Sequence, residues 1–424
     1  MGLTTKMRQT FLKILHEELV PAMGCTEPIA LAYAAAKARE ILGKLPEHVV
    51  AECSGNIIKN VKCVFIPNSG NLRGISASVL MGLVAGNAQK KMEVLSDATE
   101  QDIEKVQELL SQHNYCEVRL LDSEIPLHIR IELFDAEDHV LVEVKHSHTN
   151  IVRIEKNGEV LFEDNSVTTK ESDADYGMLT IKRIKEYADT VSLEEVQPLI
   201  DREISYNIKI AQEGLSGKYG LGLGKIILEV YPDSVLTRMK AYAAAGSEAR
   251  MSGCELPVII NSGSGNQGMA SSIPVIIYAQ EKGFNKEILT RALVFSNLLT
   301  IFQKSYIGRL SAFCGAVSAG CASGAAVTYM EHGTLEQISM TIDNTLANIP
   351  GIICDGAKAS CASKIVTSLE AAMMAHYLAL RGRVYEPESG ILQNQSDETI
   401  SCVGLIGRDG MRQIDKEILK IMVK

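Results

Sequence analysis

Residues 310–330 read LSAFCGAVSAGCASGAAVTYM, and the environment of this stretch decides what kind of molecule the chain is. It holds no charged side chain and is long enough to span a bilayer as a helix. Gly320 and Gly324 have the small-xxx-small spacing by which such helices pack. Its bulk, however, is Ala, Gly, Ser and Cys, whose transfer into lipid is far less favourable than that of Leu or Ile. No second segment of this kind accompanies it. A helix that is small and uncharged all round suits a tightly packed interior, so the expectation is a buried helix at the centre of a helical domain, with no membrane as partner.

Outward from it, apolar residues recur with a helical period from about Ser172 nearly to the end, punctuated by Gly/Ser/Asn loops at 214–224, 261–268 and 351–360. This predicts a large all-α domain over 171–424. Upstream the period changes. VVAEC, VKCVFI, YCEVRLL, LHIRIELF, HVLVEV and IVRIEKNGEVLF, between Val49 and Asp164, are β-branched or alternating runs and predict strands. Asn157-Gly158 is a type I′ hairpin signal, and Asp97 with Glu100 resembles a capping box opening a helix through Gln112. A small α/β domain with a mixed or antiparallel sheet is expected over 46–170, with the acidic stretch 161–177 as linker. In segment 1–45, Met7, Phe11, Ile14, Leu15 and Leu19 predict an amphipathic helix over 4–20, ended by Pro21. Pro28 suits the first turn of a second helix running to about Leu42. These N-terminal helices are expected to pack on the helical domain, and the fold class is α+β.

At 424 residues the chain exceeds what one core usually supports, and two main domains are expected. With 46% hydrophobic and 22% charged residues it is an ordinary globular composition. Forty-two basic against 52 acidic side chains leave a net charge of -10 without any Lys/Arg block, which argues against nucleic acid and for a small ligand. The N-terminal run contains acidic residues and lacks a cleavage-site pattern, so no signal peptide is expected. Ten cysteines in such a chain point to a reducing compartment, the cytoplasm.

Three of these cysteines sit at or beside glycine-rich turns: Cys314 in SAFCGAVSAG, Cys354 in GIICDGAK and Cys361 in AKASCASK. Small neighbours let backbone approach a bulky inorganic centre, and thiolates are what iron–sulfur clusters require. A [4Fe-4S] cube held by three thiolates keeps one iron open as a Lewis acid. The alternative, buried structural cysteines, is the commoner fate of a free thiol. Cys53, Cys63, Cys116, Cys254, Cys321 and Cys402 are read in that way. Cys321 lies about 10 Å along the helix from Cys314, too far to join the same cube.

The stretch from Ser311 to Ile365 resembles the catalytic α-region of the iron–sulfur L-serine dehydratases. Taken with VPAMGCTEPIALAYAAA near the start and NSGSGNQGMASSIPV between, the chain resembles still more closely the L-cysteine desulfidase family, also catalogued as serine-dehydratase-like proteins. The resemblance implies that Cys314, Cys354 and Cys361 hold a [4Fe-4S] cluster, that the product set is pyruvate, ammonia and hydrogen sulfide, and that the protein is a homo-oligomer, as the related dimeric dehydratases are. It further implies that Cys25 removes the α-proton while the open iron holds the carboxylate and polarises the leaving group. Where the serine dehydratases carry a Ser-Ser-Ser-His-Thr turn, this chain has Gly24-Cys25-Thr26-Glu27-Pro28, which speaks against serine as main substrate. L-serine dehydration by the same machinery and a non-catalytic iron–sulfur sensor remain the alternatives.

Cys25 precedes a helix, whose partial positive charge is expected to lower the thiol pKa. Thr26 and Glu27 beside it are candidate substrate contacts. So are Asn68 and Ser69 in Pro67-Asn68-Ser69-Gly70-Asn71, and Ser264, Asn266 and Gln267 in the loop 261–268, since backbone N–H groups before a helix cradle carboxylates. Many such loops simply turn the chain. His146 and His148 are expected on one face of a strand end, as a metal pair, a substrate contact at His148, or solvated surface residues. Lys358 is either a positive charge for the carboxylate or a solvated lysine.

Overall fold

The structure, a computed structural model, describes residues 2–164 and 174–423. Helix α1 (Thr5–Glu18) starts where the Thr4 hydroxyl accepts from the Met7 N–H, and it buries Phe11, Ile14 and Leu15 along one face. Pro21 cannot continue a helix and opens a short strand, β1 (Pro21–Met23). Helix α2 (Thr26–Leu42) is Ala-rich and buried around most of its circumference, and it stops at Gly43, whose φ of 86° is the left-handed cap.

Next come β2 (His48–Cys53), α3 (Gly55–Val61), α4 (Ile75–Ala85), α5 (Glu100–Ser111), β3 (Cys116–Leu120), β4 (His128–Asp135), β5 (Asp138–Lys145), β6 (Ile151–Lys156) and β7 (Glu159–Glu163). Strands β2 to β7 form one mixed sheet in the order β3-β2-β4-β5-β6-β7, parallel only between β2 and β3. Asn157 and Gly158, at φ 53° and 83°, turn β6 into β7 as a type I′ hairpin requires. Helix α2 packs on α4 and lies across β4 and β5, whereas α1 rests on helices of the second half.

That half contains α6 (Ile181–Thr190), α7 (Leu193–Gly214), α8 (Leu223–Val230), α9 (Val235–Met251), β8 (Pro257–Ile259), α10 (Gly265–Lys282), α11 (Lys286–Ile307), α12 (Gly315–Met330), α13 (Leu335–Asn348), α14 (Cys361–Ala379), α15 (Ser396–Leu405) and α16 (Arg412–Val423). Helix α12 is the uncharged one. It is surrounded by α10, α11, α13 and α14, and Gly320 and Gly324 let Ser368 and Ala372 of α14 approach its backbone. Among the described residues no helix is long and apolar enough to cross a membrane. The architecture is α+β.

The structure corrects several local expectations. VKCVFI is not a strand: α3 runs to Val61, Cys63 is exposed, and only Phe65 bridges Arg73, so Val64 and Ile66 reach the core from an irregular segment. The capping box belongs to Thr99 and Asp102, because Asp97 instead pairs with Lys90. The helical half is not wholly α, since it contains β8, too short for periodicity to reveal. Of the expected linker, residues 165–173 lie outside the described residues; β7 and α6 flank them.

Candidate active site

Two pieces of minimal β-structure assemble the site. Strands β1 and β8 pair antiparallel, Pro21 with Ile259 and Met23 with Pro257, which brings Gly24-Cys25 beside the turn Asn261–Ser264. Phe313 and Ile353 form an isolated antiparallel bridge. Around it the Cys314 N–H donates to the Ile352 carbonyl at 2.8 Å and the Cys354 N–H to the Ala312 carbonyl at 2.6 Å. The bridge holds two thiols together although α12 and α13 intervene. Cys361 follows as the first residue of α14.

Cys25 caps α2, Ser264 caps α10, Cys314 caps α12 and Ser360 caps α14, and no side-chain capping hydrogen bond closes any of the four. Four helix N-termini, each carrying a partial positive charge, thus meet at one place. Cys25, Ser264, Cys314 and Cys361 line the same cavity of about 90 Å³, together with Cys354, Glu27 and Arg250. Such a cavity favours anions.

The donor chemistry fits a thiolate-ligated cluster. The Cys314 thiol donates to Cys354; with Lys59 and Lys364 nearby, this brings Cys354 down to about 6 against the effect of burial. The same hydrogen bond, then burial, drives Cys314 well up, and burial raises Cys361. Buried Lys304 is pushed down to about 8 by desolvation, with Cys314 and Cys354 pulling it the other way. One thiolate therefore stands at neutral pH among three lysines. No group of three or more His, Cys, Asp or Glu among the described residues closes on a point as the shell of a single ion does.

Cys25 departs from expectation. Burial and then the Glu27 carboxylate push its thiol well above the ordinary value, outweighing Arg250. The partial charge of a helix end is too small to compete with desolvation and a full negative charge at hydrogen-bond distance. The thiol is protonated and donates to Glu27 Oε2 at 3.1 Å. Burial acts to raise Glu27, but the His148 ring and hydrogen bonds from the Cys25 thiol, the backbone and the Thr26 hydroxyl leave it below the usual carboxylate value. Burial takes His148 down to about 4 against the pull of Glu27, so the imidazole is neutral. His148 is buried past the end of β5 and His146 sits in a turn at φ 68°, so they do not share a strand face, and His148 is not a surface residue.

Four buried polar atoms around this cavity have no hydrogen-bond partner: Asn60 Oδ1, His148 Nε2, Arg250 Nε and Gln267 Oε1. The other candidates are differently placed. The Asn68 amide donates to the Leu95 carbonyl and Ser69 bonds Ile66 and Leu72, so both brace their own loop. Asn266, by contrast, lines the cavity and accepts from the Ser247 hydroxyl. Lys358 pairs with Asp355 and lines a separate outer cavity with Cys63. Asn60, Arg250, Lys304 and Arg309 line the inner cavity and were not singled out in the sequence. A buried arginine within a helical pattern looks like any solvated one until its neighbours are known.

A family model described as the serine dehydratase alpha chain matches residues 89–420. That span contains Cys314, Cys354 and Cys361 and leaves out Cys25. Relatives described as UPF0597 proteins match over the full length. One from Lachnoclostridium phytofermentans is 49% identical over 98% of this chain and 100% of its own. One from Treponema denticola is 45% identical over 100% of both chains, and one from Bacteroides fragilis is 34% identical over 99% of both.

Proposed function

Because the chain belongs to the serine dehydratase alpha chain family, named for a lyase, we propose that it is an iron–sulfur L-cysteine desulfidase, converting L-cysteine and water to pyruvate, ammonia and hydrogen sulfide. The observation that carries this reading is the presence of Cys25 in one small cavity with three further thiols. Cys314, Cys354 and Cys361 would hold a [4Fe-4S] cluster, which would supply Lewis acidity to the site.

The remaining chemistry belongs to the chain. For Cys25 to take the substrate's α-proton as a thiolate, Glu27, 3.1 Å away, must accept the thiol's proton against the resting order of the two groups, and it returns that proton to the departing sulfide. Thr26 and Asn60 hydrogen-bond Glu27 and hold it toward Cys25. The C–H electrons become the Cα–Cβ double bond as sulfide leaves Cβ. The enamine then tautomerises and hydrolyses, steps that need little from the protein.

Serine dehydration is the second reading, favoured by the family's description. Protein purified and reconstituted without air separates the two: sulfide release from L-cysteine should far exceed pyruvate formation from L-serine, and about four irons should bind per chain. Faster turnover of serine moves the assignment to dehydration, and protein that takes up no iron ends both. Cys25→Ala should keep its iron while turnover falls at least about 10²-fold. Alanine at Cys314, Cys354 or Cys361 should abolish cluster binding, as iron and acid-labile sulfide analysis will show.

A further inference from the structure

Resting on the lyase reading, the orphaned polar atoms of the cavity carry a more specific statement. We propose that Arg250 and Asn60 are the two poles of a subsite for the zwitterion of a free α-amino acid, the guanidinium binding the α-carboxylate and the Asn60 side-chain oxygen accepting from the α-ammonium.

Arg250, in the last turn of α9, is 2% exposed, and its Nε has no partner. A guanidinium kept in the interior without a counter-charge is strongly destabilising, and a flat two-pronged donor matches a carboxylate. Its position is enforced: a Cβ on Gly265 would lie 2.3 Å from Nε. The opposite pole is equally constrained. The Asn60 amide nitrogen donates to Glu27 Oε1 at 2.9 Å, which fixes the amide orientation and leaves Oδ1 as a buried acceptor without a donor. The Glu27 carboxylate adds negative charge on that side. Cys25 belongs to both poles, hydrogen-bonded to Glu27 and within the electrostatic reach of Arg250. A zwitterion held at these poles has its α-carbon between them, at the sulfur that removes the proton. Gln267, buried like Arg250, lies against Gly315 next to Cys314 and has a free Oε1 to add to the ammonium side.

The test compares anaerobically reconstituted wild type with Arg250→Gln, Arg250→Lys and Asn60→Leu. Wild type should release sulfide from L-cysteine at least about 10²-fold faster, by kcat/KM, than from L-cysteinamide, whose carboxylate is neutralised. In Arg250→Gln that ratio should fall below about ten at unchanged iron content, with partial recovery in Arg250→Lys. Independently of turnover, L-alanine should raise the thermal midpoint of wild type, while L-alaninamide and propionate should not, and Arg250→Gln and Asn60→Leu should lose the response to L-alanine. A ratio preserved in Arg250→Gln, or an L-alaninamide shift equal to that of L-alanine in wild type, overturns the subsite. Stabilisation by L-alanine that depends on Arg250, in a protein releasing neither sulfide nor pyruvate, supports the subsite and removes the lyase reading instead.

Discussion

A buried side chain in this protein takes its properties from the few atoms that touch it. Cys25 is buried and Cys354 half-buried, and burial with a carboxylate neighbour drives the first thiol up while a thiol donor with lysines draws the second down. Glu27→Gln should therefore cost about 10²-fold or more in turnover by removing the proton acceptor of Cys25, with iron content unchanged. Glu203 makes a separate case. It is wholly buried and accepts from Asn297, which in turn accepts from Asn261 at the turn beside the cavity. Burial raises it from 4.5 to about 8, with Asn297 opposing. Between those values the folded chain keeps a proton that the unfolded chain has shed. Its contribution is thus full below pH 4.5 and is lost as pH rises to about 8, at about 1.4 kcal/mol per unit. In Glu203→Gln the denaturant midpoint should lose that alkaline decline, and an unchanged pH profile would show the carboxyl to be ionised in the fold. The thiols that line the cavity drew notice in the sequence because few residue types do what a thiolate does. Arg250, Asn60 and Glu203 were not, since what marks them is the lack or the nature of a partner in space.

Elements were legible where they repeat or cap and illegible where they are brief. The helical character of the second half follows from its period, its breaks at 214–224, 261–268 and 351–360 from their Gly/Ser/Asn loops, and the I′ turn from Asn157-Gly158. The three-residue strands β1 and β8 and the single bridge Phe313–Ile353 have no periodic signature, although they are what brings the site together. Helix α16 is a further case. Its Asp415 accepts from the Ala312 N–H at 2.9 Å and pairs with Lys59, whose ammonium also donates to the Cys354 carbonyl at 3.2 Å. One carboxylate from the last helix thereby braces both turns that present thiols. Asp415→Asn leaves buried Lys59 without its counter-charge, a loss of about 3–5 kcal/mol. It should lower the thermal midpoint and hasten the decay of cluster absorbance in air; iron retention equal to wild type would show that α16 merely covers the site.

Over the whole molecule, acid is the predicted weakness. Burial holds both His148 and His376 at about 4, below the ordinary 6.5. Below pH 6.5 the unfolded chain binds protons that the folded one refuses, so stability present above 6.5 drains away toward pH 4, each histidine costing about 1.4 kcal/mol per unit. Unfolding midpoints measured from pH 7 to pH 4.5 should fall, and His376→Asn should flatten part of that fall. The α+β class was legible from the change of hydrophobic period along the chain. That α2 lies on the sheet while its first residue serves the helical site was not, because topology depends on pairings between distant segments. The bridge at Phe313–Ile353 also makes α12 and α13 a closed hairpin, pinned at its neck, with His332 exposed at its tip. Extra sequence spliced in after His332 lengthens only the far end, whereas a single residue inserted between Ile352 and Cys354 would shift the pairing register and turn the thiol away. A reporter tag for following the loaded protein belongs at the tip, and the neck admits no change in length.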